Sequence, residues 1–293
     1  MRTDNEMRLP AARTGRDRLR RMLAAALLAG VAVPVHAAQR PLWEIGFGVA
    51  PLTVPDYRGS DEQRNYVLPL PYLVYRGHFV TVDRQGVAGH VLRSRRIRLS
   101  LSLNAGVPVK SSGNDARAGM PDLYPTLEAG PVLDVCLDPV CRREPTWSFS
   151  VPARAVIATD LRHTRYIGWV FNPAINYDTQ LLLASARWNF GAALGPVFAT
   201  AQQNVYYYQV DPAYATPARP AYAARGGYAG MRMTIGVSRR FRSTWFGAFV
   251  RYDNLSGAVF EDSPLVRTRN SFMAGFGIAW IFAHSASTVP ERH

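Results

Sequence analysis

The chain has 293 residues, 48% of them hydrophobic, and a formal net charge of +13. No stretch after residue 37 holds 18 uninterrupted apolar residues, which excludes a transmembrane helix there and leaves the apolar content to short alternating runs. Excess positive charge suits nucleic-acid binders, but no helix-turn-helix, zinc-ligand spacing or RNA-binding aromatic motif is present, so no nucleic-acid partner is expected.

At the N-terminus Arg13, Arg16, Arg18, Arg20 and Arg21 precede an apolar run from Met22 to Val33. Val35-His36-Ala37 then supplies small residues at the two positions that a signal peptidase reads. The pattern predicts a secretory signal peptide over 1–37, with cleavage between Ala37 and Ala38 and Sec-type export. An N-terminal membrane anchor is the competing reading. The run is well short of the roughly 20 residues that span a bilayer. The long basic region also allows a start at Met7. Loss of this segment removes seven arginines and three acids, which takes the net charge from +13 to +9. Lys110 is the only lysine. Lipopolysaccharide phosphates suit this arginine excess; a base-composition bias toward arginine accounts for it equally well.

The remaining chain reads as twelve strands: 42–50, 66–75, 78–83, 86–92, 95–105, 123–137, 145–157, 166–177, 183–198, 224–238, 244–253 and 270–282. The run 96–105 is the clearest. Ile97, Leu99, Leu101 and Leu103 form one face, and Arg96, Arg98, Ser100 and Ser102 the other. A slip of one residue would turn two arginines toward lipid, at roughly 2–4 kcal/mol each near the midplane. The same division recurs in 146–157, 184–198 and 229–238, where Arg154, Arg187 and Arg232 oppose bulky apolar residues. A soluble β-sandwich also alternates. Its strands average about 5–6 residues, whereas these faces persist for ten or more.

In the last strand Phe272, Phe276, Ile278, Trp280 and Phe282 face one way, and Ser271, Met273, Gly275, Gly277 and Ala279 the other. Phe276, Gly277, Trp280 and Phe282 resemble the closing signal of bacterial outer-membrane barrels, read by the barrel-assembly machinery. A short polar tail, 283–293, follows on the periplasmic side. The expectation is an all-β fold: a transmembrane, antiparallel up-and-down β-barrel over 38–282, of about twelve strands, or ten if 78–92 folds irregularly.

Long segments lie at 51–65, 106–122, 199–223 and 254–268, with a shorter one at 158–165. Short turns lie near 76–77, 94–95, 138–144, 178–180 and 239–243. Barrels of this kind put long loops outside and short turns in the periplasm. Trp43, Trp147, Trp245 and Trp280 would then share one periplasmic aromatic belt. Cys136 and Cys141 flank a predicted periplasmic turn and are expected to pair in an oxidising compartment, with free thiols as the alternative. On the inward faces Glu128, Asp134 and Asp253 accompany Arg96, Arg98, Arg154, Arg187, Arg232 and Arg251 and read as a lumen charge network.

Four segments resemble a known family. They are Pro55-Asp56-Tyr57-Arg58-Gly59-Ser60; Leu68-Pro69-Leu70-Pro71 with Tyr75; Tyr206-Tyr207-Tyr208-Gln209-Val210; and Ser263-Pro264-Leu265-Val266 before the closing strand. Together they resemble the MipA/OmpV family of outer-membrane proteins, with Gln209 where the family usually has Gly. The resemblance implies an outer-membrane barrel surrounded by lipid and lipopolysaccharide. It also implies an envelope scaffold linked to a murein lytic transglycosylase and a penicillin-binding protein. Read from the residues, Pro55, Tyr57 and Gly59 suit a tight external loop, and Pro69 with Pro71 suits a distorted or bulged strand.

No Gly-x-Ser-x-Gly is present, and the histidines are scattered, so neither catalysis nor any cofactor or metal is expected. Three classes of function fit: an envelope scaffold, a narrow channel for small anionic solutes, and a barrel acting through external loops in adhesion or resistance.

Overall fold

A computed structural model describes residues 39–76, 80–83, 86–89, 92–94, 96–139, 146–160, 162–183 and 185–290. The chain divides into residues 1–39 and 40–293, and the second unit carries the fold. The predicted signal segment, with Ala37 and Ala38, lies outside the described residues.

The strands of the barrel sheet are β1 (Trp43–Pro55), β2 (Gln63–Arg76), β3 (Val80–Asp83), β4 (Gly86–Gly89), β5 (Leu92–Arg93), β6 (Ile97–Gly106) and β7 (Thr126–Cys136). They continue as β8 (Thr146–Thr159), β9 (Thr164–Phe171), β10 (Ala174–Leu183), β11 (Ala186–Ala199), β12 (Gly227–Arg240), β13 (Thr244–Asn254) and β14 (Asn270–His284). They form one sheet in the order β4-β3-β2-β1-β14-β13-β12-β11-β9-β8-β7-β6-β5, with β10 between β8 and β11. β14 pairs antiparallel with β1, which joins the ends of the chain. β5 pairs with β6, and β4 lies alongside β6, so the sheet returns on itself. Closure removes the free edges that an open sheet would present.

β9 and β10 are two parts of one stave, interrupted at Asn172-Pro173. Gly195 permits the interruption, because a Cβ there would overlap the Pro173 carbonyl. Asn172 Nδ2 donates to the Pro196 carbonyl at 2.9 Å. Ten staves are long, and β3, β4 and β5 are short pieces within 78–93, the region where an irregular fold was the alternative.

The alternation of the sequence appears as two unlike walls. Phe47, Val67, Leu103, Leu194, Phe276, Trp280 and Phe282 are exposed on the outside. Tyr72, Val74, Arg154, Val197, Asp253, Ala279 and Ile281 are buried inside. A closed barrel with this much exposed apolar surface is built for lipid, where an outward apolar band loses nothing by leaving water. No described helix is long and apolar enough to cross a membrane.

The strand ends joined by the long connections (β1 to β2, β6 to β7, β8 to β9, β11 to β12 and β13 to β14) lie at one end, and those where β7 leads to β8, β10 to β11 and β12 to β13 lie at the other. Several expectations are corrected. Residues 178–180 are not a turn: β10 continues to Leu183, with Asp178 opposite Gly191 and Gln180 opposite Asn189. Polar residues there face the lumen, which a turn-seeking reading mistakes for solvent. Leu183 pairs with Ala186 across the hairpin, and Ser185 takes a φ of 61°. Pro69 and Pro71 lie in neither a loop nor a bulge, since β2 pairs with β1 in unbroken register through both. They share one parity, so both missing donors fall on one edge, and β3 meets that edge only at Tyr75 and Arg76. Finally β14 runs past Phe282 to His284, and Ser285 N–H donates to the Trp43 carbonyl at 3.0 Å, so the tail begins fastened to the first strand.

The aromatic belt at the turn end also differs from expectation. Trp147 packs on Tyr177 at 4.7 Å, and Trp280 on Phe282 at 5.9 Å. Trp188 joins them against Phe241 and Phe246, with the Arg239 guanidinium 5.7 Å above its ring. Trp245 does not belong to this belt. It points inward beside Leu70, Tyr72, Val74, Ala279 and Ile281. A slot without side chains admits its ring, because a Cβ on Gly247 would overlap the indole and one on Gly277 would press on Leu70.

Candidate functional site

The long loops pack on one another instead of lying open. Their core includes Tyr57, Val109, Leu123, Tyr208, Val210, Leu255, Phe260 and Leu265, continued downward by inward residues of β8, β9 and β11. Phe260, Leu255 and Leu265 are fully buried. In the first loop Gly59 adopts a φ of +94°, which lets the chain reverse sharply. Its carbonyl accepts from the N–H groups of Arg267 and Thr268, and its own N–H donates to Ser271 Oγ at 2.9 Å. Tyr57 is buried under this turn and donates its hydroxyl to the Leu265 carbonyl at 2.8 Å.

The longest loop begins with a short helix, α1 (Ala201–Tyr208), which turns Gln203, Asn204 and Tyr208 inward. An isolated helix of this length is not stable in water, so packing supplies its stability. The Tyr208 ring stacks on Phe260 at 3.7 Å and 8°. Its hydroxyl donates to the Arg58 carbonyl at 2.9 Å, and Ser263 Oγ donates to its backbone carbonyl at 2.7 Å. Arg117 is buried and donates to Ser111 Oγ and to the carbonyls of Pro121 and Tyr207. Burial raises the pKa values of Tyr57, Tyr207 and Tyr208, so their hydroxyls remain protonated donors. Burial lowers those of Arg58 and Arg117; Asp253 acts in the opposite direction on Arg58.

Three of the four segments singled out in the sequence meet in this cap: 55–60, 206–210 and 263–266. The fourth, with Pro69 and Pro71, lies in the barrel wall. The cap thus explains why residues so far apart share one pattern.

Beneath the cap is a cavity of about 570 Å³, lined by both the cap and the barrel wall. Leu52, Leu68 and Phe249 give it apolar walls, while Glu128, Arg232, Arg251 and Asp253 give it charge. Arg154 Nε donates to Glu128 at 2.8 Å. Arg232 Nε donates to Asp253 Oδ1 at 2.9 Å, and Arg58 Nε lies 3.0 Å from the same oxygen. Arg251 forms no ion pair with any described residue; its Nη1 reaches only Met273 Sδ, at 3.8 Å.

Nearer the turn end Arg98 pairs with Asp134 at 3.2 Å on a more exposed stretch of wall. Arg187 shares the lumen face of β11 by register and is exposed. Arg96 stands two residues before Arg98, on the same parity. It sits in the exposed turn before β6, where its carbonyl accepts from Cys136 N–H at 2.8 Å. Cys136 ends β7, and Cys141 lies outside the described residues.

Arg58 and Glu44 are among the participants missed in the sequence, with their partners Arg240 and Arg64 elsewhere in the network. Arg58 belongs to a loop, where period two offers no signal. Glu44 was legible in principle, because it shares the inward parity of Gly46 and Gly48 at the start of β1. It is buried, with Arg240 Nη2 donating to it at 2.7 Å and Tyr72 Oη at 3.3 Å. Among the described residues no cluster of three or more His, Cys, Asp and Glu could hold a metal ion.

The family model for MltA-interacting protein MipA matches residues 47–282. No curated protein matches the chain. Among solved structures, CdiB from Acinetobacter baumannii is similar over 83% of this chain and 60% of its own, at 9% identity and a TM-score of 0.34. The chain therefore spans three fifths of the CdiB length. The outer membrane protein OprG from Pseudomonas aeruginosa is similar over 84% of this chain and 95% of its own, at 7% identity and a TM-score of 0.20.

Proposed function

Because the chain belongs to the MltA-interacting protein MipA family, we propose that this outer-membrane barrel is a sealed envelope scaffold rather than a pore or an enzyme. The observation that carries the reading is the packed cap, which closes the loop end of the barrel with buried side chains. A barrel that conducts solutes needs a water-filled path. One that serves as an anchor does not.

In this reading residues 1–37 direct Sec-type export and are removed between Ala37 and Ala38. The barrel-assembly machinery reads the closing strand through Phe276, Gly277, Trp280 and Phe282, and lipopolysaccharide phosphates neutralise part of the arginine excess. The family's printed description names an interaction with MltA. By extension, the turn end of this barrel holds a murein lytic transglycosylase near a penicillin-binding protein. No residue is given a catalytic role.

The test joins two measurements on purified full-length protein. In planar bilayers it should show no stable conductance steps. Immobilised in lipid nanodiscs, it should retain a purified periplasmic lytic transglycosylase. Steady, ion-selective conductance without enzyme retention would overturn the scaffold in favour of the narrow anion channel.

The turn after β7 is part of the same proposal, since a Cys136–Cys141 bridge would stiffen the periplasmic rim. The short closed loop limits its entropic gain to about 2 kcal/mol. Denatured protein should take up two alkyl groups after reduction and none before. Uptake without reductant would show free thiols.

A further inference from the structure

The cavity beneath the cap has the size and the character of a small-molecule site. Its 570 Å³ lies within the roughly 300–1,000 Å³ usual for such sites, which are mostly apolar with a few placed polar groups. Arg58, Arg232 and Arg251 line it together with Asp56, Glu128 and Asp253, but two of these acids are engaged by arginines outside the lining. Arg64 uses Asp56 and Arg154 uses Glu128, while Arg58 and Arg232 share one oxygen of Asp253. Arg251 is left with a thioether, and its buried Nε has no hydrogen-bond partner. An orphaned guanidinium beside an apolar wall is costly unless something occupies its donors.

We propose that this chamber binds a small amphiphilic carboxylate, with its anionic group on Arg251 and its apolar body against Leu52, Leu68 and Phe249. The planar fork of one free guanidinium matches the two oxygens of a carboxylate. Arg187, exposed on the lumen face of β11 toward the turn end, places positive charge along an approach from the periplasm. The proposal is independent of any murein enzyme partner.

The test uses the full-length protein in lipid nanodiscs, with 2-naphthoate as the probe and neutral naphthalene-2-methanol as its control. Equilibrium dialysis against protein-free nanodiscs gives the baseline. The expected result is saturable binding of naphthoate above baseline, about tenfold or more tighter than the alcohol. Arg251→Gln should weaken naphthoate by about ten- to hundredfold, the range for a lost charge-assisted bond, and leave the alcohol nearly unchanged. If Arg251→Gln fails to assemble, Leu68→Trp serves instead. It fills the chamber without touching a charge and should abolish binding of both probes. Naphthoate uptake equal to protein-free nanodiscs would overturn the proposal. So would equal binding by Arg251→Gln, or undiminished binding by Leu68→Trp.

Discussion

Tyr208→Ala should open the outer cap while leaving the barrel assembled. The side chain is buried, stacks on Phe260 at 3.7 Å, and donates to the Arg58 carbonyl at 2.9 Å. Removing a buried aromatic ring of this kind costs about 3–5 kcal/mol. The loss falls on the loops, because no sheet ladder involves α1. A local opening equilibrium would shift by about two to three and a half orders of magnitude. Limited proteolysis should therefore cut within 200–226 in the variant and spare the parent. The compact, faster-migrating unheated form on gels should persist in both. Tyr208→Phe keeps the stack and loses only the hydroxyl bond, worth about 0.5–1.5 kcal/mol, so its loops should stay largely protected. Equal cleavage of Tyr208→Ala and the parent would mean that the ring does not hold the cap.

The staves were legible in the sequence for a reason that does not extend to the cap. Lipid outside and crowded polar groups inside impose opposite demands on alternate residues, so parity is written along every long strand. Ile97, Leu101 and Leu103 are exposed outside, and Arg98 and Asn104 fall on the inner face, as the alternation required. The cap obeys no period. Tyr206-Tyr207-Tyr208 reads as loop, because α1 is too short for a helical repeat to emerge and its stability comes from Phe260 and Ser263, more than 50 residues away. Trp245 misled for a related reason. Its residue type favours the interface, but its parity with Gly247 and Phe249 assigns it to the inside, where Gly247 and Gly277 leave a slot. Parity outranks residue type in a barrel wall. Pro69 and Pro71 follow the same rule, since matching parity lets both lie in an unbroken strand.

Asp253→Asn should destabilise the barrel far more than Asp134→Asn, although each removes one lumen carboxylate. Asp253 is 4% exposed, and one of its oxygens serves both Arg232 and Arg58. The asparagine keeps the shape and removes the charge, leaving Arg58, Arg232 and Arg251 clustered around a neutral group. Breaking a buried pair on one side costs about 3–5 kcal/mol, since the remaining charge stays desolvated. For a chain of this size that corresponds to roughly 6–20 °C in unfolding temperature. Asp134 has a different setting: its partner Arg98 is 47% exposed, so water can take over when the carboxylate is lost. Exposed pairs are worth about 0–1 kcal/mol, and Asp134→Asn should lower the midpoint by a few degrees at most. The measurement is the temperature at which the folded form disappears on unheated gels. A triple variant, Asp253→Asn with Arg58→Met and Arg232→Leu, should recover most of the loss, because it removes the stranded charges along with the acid. Equal midpoints for the two single variants would mean that water reaches Asp253 as freely as Asp134, and that the chamber beneath the cap is not enclosed.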